Sequence, residues 1–486
     1  MIKSLKSRGI SIILCGALIV GVMTGCTSQA TSSKSSTPKS ITKTTKKVTR
    51  ASCEKQLTEI KGKYEKNPND EVLRLEYAQI LFKLGDITKA QEMLSPLMNS
   101  KKPSPDVIYL SARIEYLNGN YEQAEKLYNT LIEQYPDKFK AKAEKGLTLT
   151  YYQTNQYQKA EKLSEASEDK NNSINSVLEM MKAFKDKQPN QIDWNGKSET
   201  VIPFITTEPL PVVPVEINGK RINAVIDTGG PMFTIDQKLA KELGIKTASK
   251  NENEFAGGNT VETGFGQADS LTIGDVNIKN VPVMLGPFDG FEEGLKDYDV
   301  HGIIGTGVLK EFVPTMDYLS GQLILRPRNE VGRENLNKML ADDKILEEMP
   351  FTLAAIHFMY GKGSANQKSG LNYFIDSGLG DEKGAGIILP KETIDSLKIP
   401  MPELNKAPEG QGGMGGSDYK EGHFDISSYG LGNLQLKNGI GYYFTGGVLD
   451  YDEEVGFVSD GLISHHYFNK YKWSIDFDSR KMTFSK

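Results

Sequence analysis

The chain has 486 residues and a formal net charge of −5, from 58 Lys and Arg against 63 Asp and Glu. It lacks the basic excess of a nucleic-acid binder, so no nucleic-acid partner is expected. At roughly 150 residues per domain the length predicts about three domains. All three cysteines, Cys15, Cys26 and Cys53, lie near the N-terminus, which excludes a disulfide framework for the folded part.

Lys3, Lys6 and Arg8 precede an apolar run from Ile10 to Met23 that is too short for an ordinary membrane span. Residues 1–25 therefore read as a secretory signal peptide. Met23-Thr24-Gly25-Cys26 resembles a bacterial lipoprotein cleavage box. That resemblance implies lipid on Cys26 and an exported protein anchored to the outer face of the bacterial cytoplasmic membrane. Residues 26–52 are expected to be a disordered tether, because Thr27 to Arg50 is rich in Ser, Thr and Lys and has little to bury. Lys34, Lys39, Lys43, Lys46, Lys47 and Arg50, with no acid among them, would be drawn to an anionic membrane surface.

From 53 to 170 the pattern is helical and repetitive. Leu84-Gly85-Asp86-Ile87-Thr88-Lys89-Ala90, Asn118-Gly119-Asn120-Tyr121-Glu122-Gln123-Ala124 and Thr154-Asn155-Gln156-Tyr157-Gln158-Lys159-Ala160 are one turn and helix start repeated at 124 − 90 = 34 and 160 − 124 = 36 residues. The period is close to that of tetratricopeptide repeats, roughly 34 residues, and the segment resembles that family. The resemblance implies a helix stack whose concave face holds a protein partner, or which spaces an enzyme above the membrane. Residues 171–200 read as a further helix and a linker, marked by Pro189, Asn190 and Asn195-Gly196.

The next stretch carries chemistry. Val213, Val215 and Ile217 alternate toward Asn218-Gly219, and Ile222, Ala224 and Ile226 alternate away, which predicts a hairpin ending on Asp227-Thr228-Gly229-Gly230. The same order returns at Tyr373-Phe374-Ile375-Asp376-Ser377-Gly378. An Asp at the end of a buried strand is costly, and the Gly after it lets the chain turn so that donors face the carboxylate. Two such loops face to face could share one proton and hold a water. Downstream, His301-Gly302-Ile303-Ile304-Gly305, Phe312 and Met316-Asp317 are matched by Asp460-Gly461-Leu462-Ile463-Ser464, Tyr471 and Ile475-Asp476. The offset is constant, since 461 − 302, 471 − 312 and 476 − 317 all equal 159, and this marks an internal duplication.

The Asp-Thr/Ser-Gly loops, the apolar pair with its Gly and the closing strand after an Asp resemble the aspartic proteases, especially the retropepsin-like group, over roughly Val201 to Lys486. The fold implied is α+β multidomain: a tetratricopeptide-like α-helical repeat followed by two mainly-β, aspartic-protease-like barrels. Lobe 1 is expected at 201–328, a linker at 329–349 and lobe 2 at 350–486. The implied catalytic residues are Asp227 and Asp376, supported by Thr228, Gly229, Ser377 and Gly378, with the two hydroxyls locking the loops together. Gly257-Gly258 and Gly413-Met414-Gly415 are expected at two flap tips over a polypeptide substrate.

The chemistry expected is peptide hydrolysis by a water activated between two aspartates, with neither metal nor other cofactor. No His-Glu-x-x-His pattern occurs, no phosphate-cradling Gly-x-x-x-x-Gly-Lys-Ser/Thr occurs, and the adjacent His465-His466 read as ordinary loop or strand residues. Ser464 stands where lobe 1 has Gly305, and Leu379 follows the second Asp loop where a small residue is common in the family. Both favour the alternative, a catalytically silent peptide-binding protein with a partner-recruiting repeat. Retention of both Asp loops with their hydroxyls favours the enzyme.

Overall fold

The computed structural model describes residues 12–13, 48–166, 174–184, 187–254, 260–288, 295–407, 419–446 and 452–486. Among the described residues eight helices lead: α1 (Arg50–Lys66), α2 (Glu71–Lys83), α3 (Ile87–Met98), α4 (Pro105–Leu117), α5 (Tyr121–Gln134), α6 (Pro136–Gln153), α7 (Tyr157–Ala166) and α8 (Ile174–Ala183). Local chemistry sets several starts. Asp70 accepts the Val72 and Leu73 amides ahead of α2, and Ser104 caps α4 with Pro105 in its first turn. The repeated alanines, Ala90, Ala124 and Ala160, are fully buried, and Gly146 leaves room for the Tyr128 ring between α5 and α6.

The helical region starts earlier than the composition suggested. Arg50, read as tether, lies in the first turn of α1, where Thr49 and Ser52 form a capping box. Arg50 is drawn out of the tether by a buried partner, Asp460, which accepts from its Nε at 2.6 Å and its Nη2 at 2.5 Å. The expected linker at 329–349 is likewise structured. Asn329 caps the helix Glu330–Asp342, and the strand Ile345–Ala354 begins within the same stretch.

Lobe 1 is built on an eight-stranded sheet. Its hairpin pairs Val212–Ile217 with Lys220–Asp227 through Asn218 and Gly219, both at positive φ, and the apolar alternation falls on the buried face. Val300–Gly305 then lies parallel to the Asp227 strand, with Gly302 opposite Ala224 and Gly305 opposite Asp227, and Phe233–Asp236 pairs antiparallel on its other side.

Lobe 2 repeats this register. Gly461–Ile463 runs parallel to Lys368–Ile375 with Gly461 opposite Tyr373, and Ile387–Ile388 pairs antiparallel on its far side. The two halves meet in a run of six strands within a larger sheet, ordered Ile345–Ala354, Lys481–Ser485, Lys472–Asp476, Thr315–Asp317, Gln322–Leu325, Thr200–Pro203. At its centre Thr315 faces Ser474, residues 159 apart, with their hydroxyls 2.8 Å from each other. The sheet is thus palindromic about a pseudo-two-fold axis.

The helical repeats pack on both lobes. One continuous apolar cluster holds Leu81, Ile114 and Tyr152 from the helices, Met232 from lobe 1, and Ile356, Phe374 and Phe457 from lobe 2. No helix among the described residues is long and apolar enough to cross a membrane. A two-residue strand, Ile12–Ile13, pairs antiparallel with Leu379–Gly380, just past the second Asp loop.

Candidate active site

Asp227 and Asp376 end equivalent strands and are both buried. Each carboxylate is held by its own loop: Asp227 Oδ1 accepts the Gly229 amide at 2.7 Å, and Asp376 Oδ1 accepts the Gly378 amide at 2.9 Å. Each also faces the glycine of the opposite loop. A Cβ on Gly229 would come within 2.6 Å of the Asp376 carboxyl carbon, and one on Gly378 would strike the Asp227 carboxylate. Glycine is needed at both positions because the other lobe's carboxylate occupies the space.

The two hydroxyl residues cross over. Ser377 Oγ accepts from Thr228 N at 3.1 Å and donates to Ile226 O at 3.1 Å; Thr228 Oγ1 accepts from Ser377 N at 3.0 Å and donates to Ile375 O at 2.9 Å. Four hydrogen bonds therefore cross between the lobes, two joining the loops to each other and one from each hydroxyl to the strand of the other lobe. Burial pushes the Asp227 carboxyl well above the ordinary range, while the Asp376 side chain and the Gly229 and Gly230 amides pull it down without cancelling that effect. The Asp376 side chain reaches Asp227 within hydrogen-bonding range, an arrangement in which two buried carboxyls can share one proton.

Residues 213–308 match the family described as aspartyl protease, and residues 106–138 match the tetratricopeptide repeat. The chain therefore carries a segment similar to aspartyl proteases behind one similar to the tetratricopeptide repeat. A crystal structure of a retropepsin-like aspartic protease from Rickettsia conorii aligns with 28% of this chain and 92% of its own, at 17% identity and a TM-score of 0.20. Among curated proteins none matches.

Both departures in lobe 2 fit their surroundings. Ser464 is buried and donates to Ala385 O at 2.6 Å. At Gly305 a Cβ would meet the Gly230 and Met232 carbonyls, each at 2.5 Å, so only lobe 1 requires glycine there. Leu379 points into the apolar core rather than toward the carboxylates.

The proposed flap residues Gly257, Gly258, Gly413, Met414 and Gly415 lie outside the described residues, as does Cys26. The stems of both loops are described: Glu254 pairs with Thr260, and Lys406 with Lys420.

Sequence reasoning missed several groups around the pair. Thr306, directly after Gly305, donates its hydroxyl to Thr228 O at 2.7 Å, and its amide donates to Gly230 O at 2.8 Å. Its adjacency to the motif glycine was the available signal. His465 and His466 lie in neither a loop nor a strand but open the short helix His465–Phe468, and His466 Nε2 lies 2.7 Å from Asp381 O and 3.1 Å from the Asp381 amide. Asp381, five residues beyond Asp376, is buried; burial pushes its carboxyl up, but His423 and the Ala385 amide outweigh this and hold it below the ordinary range. Nothing local in the sequence joins Asp381 to residues 42 and 85 positions away.

Proposed function

We propose that the chain is a membrane-anchored, extracytoplasmic aspartic endopeptidase in which Asp227 and Asp376 activate one water for attack on a peptide bond. The observation that carries this reading is the reciprocal lock of Thr228 and Ser377, which holds the two Asp loops against each other. In the reaction the ionised carboxylate takes a proton from the water as its oxygen adds to the scissile carbonyl, and the protonated carboxyl donates to the carbonyl oxygen. The tetrahedral diol then collapses as a proton passes to the leaving nitrogen, and the pair returns to one proton. No covalent intermediate forms. Fixed geometry, with little to reorganise, is the source of the rate.

The substrate is an extended polypeptide. Leu379–Gly380, beside Asp376, already takes an extended segment along its edge in Ile12–Ile13, and main-chain pairing of this kind binds a strand with little regard to its side chains. Loss of the signal peptide would open that edge. Lipid on Cys26 would hold the protein on the outer face of the membrane, and the basic tether supports the same placement. Against the silent alternative stands the placement of its two departures: Ser464 is bonded to Ala385 O and Leu379 lies in the apolar core.

Asp227→Asn and Asp376→Asn should each lower cleavage of an unstructured polypeptide by about 10³-fold with the fold intact, since Asn keeps the shape but cannot exchange the proton. The double variant should be little worse, because the pair acts as a unit. A peptide that binds wild-type protein but is cut at no pH from 3 to 9, roughly the span in which a shared carboxyl proton can be gained or lost, would replace this reading with the silent one.

A further inference from the structure

The three repeat turns, which the sequence marks only as periodic punctuation, all dock on the protease lobes. Leu84 O accepts from Asn372 Nδ2 at 3.1 Å and from Lys362 Nζ at 2.9 Å; Gly119 lies against the Arg480 guanidinium; Asn155 Nδ2 donates to Glu311 at 3.0 Å. The third contact reaches the catalytic loop. Tyr152 Oη, at the end of α6, donates to Pro231 O at 3.2 Å, directly behind Asp227-Thr228-Gly229-Gly230. Pro231 O also accepts the Gly307 amide at 3.0 Å, and a Cβ on Gly307 would meet Tyr152 Oη at 2.8 Å. The Pro231 carbonyl is therefore held by Gly307 and Tyr152 together.

The same helix end ties lobe 1 to lobe 2. Lys310 Nζ, fully buried, donates to Tyr152 O at 3.2 Å and Gln153 Oε1 at 3.1 Å, and lies 4.4 Å from the centre of the Tyr152 ring. Gln153 Nε2 donates in turn to Ala355 O at 3.2 Å and Ile356 O at 3.0 Å, on the lobe 2 hairpin that leads toward the Asp376 strand. A chain of contacts thus runs from the Asp227 loop through the last turn of α6 to lobe 2. A buried lysine used for this purpose is costly, and burial depresses it to about 7. Its amine satisfies the helix end that would otherwise meet the lobe without a donor.

We propose that Tyr152 and Gln153 are positioning residues of the aspartate pair: the repeats set the Asp227 loop and the spacing of the lobes. This rests on the peptidase reading for its effect on rate, but not for its effect on the loop. Tyr152→Phe removes only the hydroxyl, and Gln153→Ala removes the bridge to lobe 2 together with one acceptor of Lys310 Nζ. Each should lower kcat by about tenfold with KM nearly unchanged, as small misplacements of catalytic groups do, and should move the alkaline limb of the pH profile because the pair's separation changes. Independently of turnover, hydrogen exchange at the Gly305–Gly307 amides should speed up by about tenfold as the loop opens locally. Tyr151→Phe is the control, since its hydroxyl bonds to Glu125 within the repeats at 3.1 Å, and it should change neither readout. Wild-type exchange and kcat in Tyr152→Phe and Gln153→Ala would overturn the proposal, as would a loss of melting temperature with neither readout moved. Failure of the wild-type protein to cut any peptide would sink the peptidase reading while the exchange result still decided this one.

Discussion

At the scale of single residues, the pair Asp227 and Asp376 shows how burial is turned to use. A lone buried carboxylate would be neutralised, but two that face each other, with four hydrogen bonds crossing between their loops, can hold one proton where it is needed. His357 is the opposite case. It is 1% exposed, neither ring nitrogen has a hydrogen-bond partner among the described residues, its ring lies tilted against Phe358, and burial pushes it down to about 3. The folded state therefore keeps His357 neutral while the unfolded chain takes a proton below its ordinary value of 6.5. Stability from this residue is fully present above 6.5, declines as pH falls from 6.5 toward 3 and is constant below that. Between pH 7.5 and pH 5 the wild-type protein should lose about 2 kcal/mol more than His357→Leu in urea unfolding. Equal pH dependence in the two proteins would show that His357 protonates freely.

At the scale of elements, the duplication is a repeated packing solution. A strand ending on Asp, a parallel strand opened by Gly302 or Gly461 and an antiparallel third strand recur in register in both lobes. The helix α1 shows a different kind of fit. Its first residue, Arg50, makes a two-pronged bond to Asp460, which is buried, precedes Gly461 and also accepts the Asn372 amide at 2.7 Å. Arg50→Ala would leave Asp460 buried beside a strand of lobe 2 without its cation, at a cost of about 3–5 kcal/mol. Arg50→Lys should recover only part of this, since an ammonium cannot match both oxygens. A melting temperature unchanged in Arg50→Ala would mean that the pair is solvated.

At the scale of the whole molecule, repeats and lobes share one core. Ile356, Phe374 and Phe457 of lobe 2 and Met232 of lobe 1 belong to the same apolar cluster as Leu81, Ile114 and Tyr152 of the helices. A chain beginning at residue 187 would expose that surface together with the buried Lys310. Patches of this kind drive association. The shortened protein should elute as aggregates on size exclusion and lack the sharp near-ultraviolet dichroism of the full chain. A monomeric, cooperatively melting product would show that the lobes fold without the repeats.

The elements that the sequence alone determined are those governed by local rules. The Asn218-Gly219 hairpin follows from alternation and positive φ, the repeat turns from a fixed period, and the twin Asp loops from a duplication with a constant offset. The identity of Asp227, Thr228, Asp376 and Ser377 as a group was legible because both copies keep the same short motif. What only the tertiary structure decided depends on residues far apart in the chain. Arg50 looked like tether because its partner, Asp460, is 410 positions away. Asp381 and His466 became a pair only when lobe 2 closed, and Ser464 proved harmless because its neighbours, unlike those of Gly305, leave room for a side chain. Above all, the sequence presents the repeats as a separate module, since helical periodicity is satisfied within each unit. Their attachment to the back of the Asp227 loop rests on Tyr152, Gln153 and Lys310, whose roles arise from burial and hydrogen bonding across domains, and no local pattern encodes those.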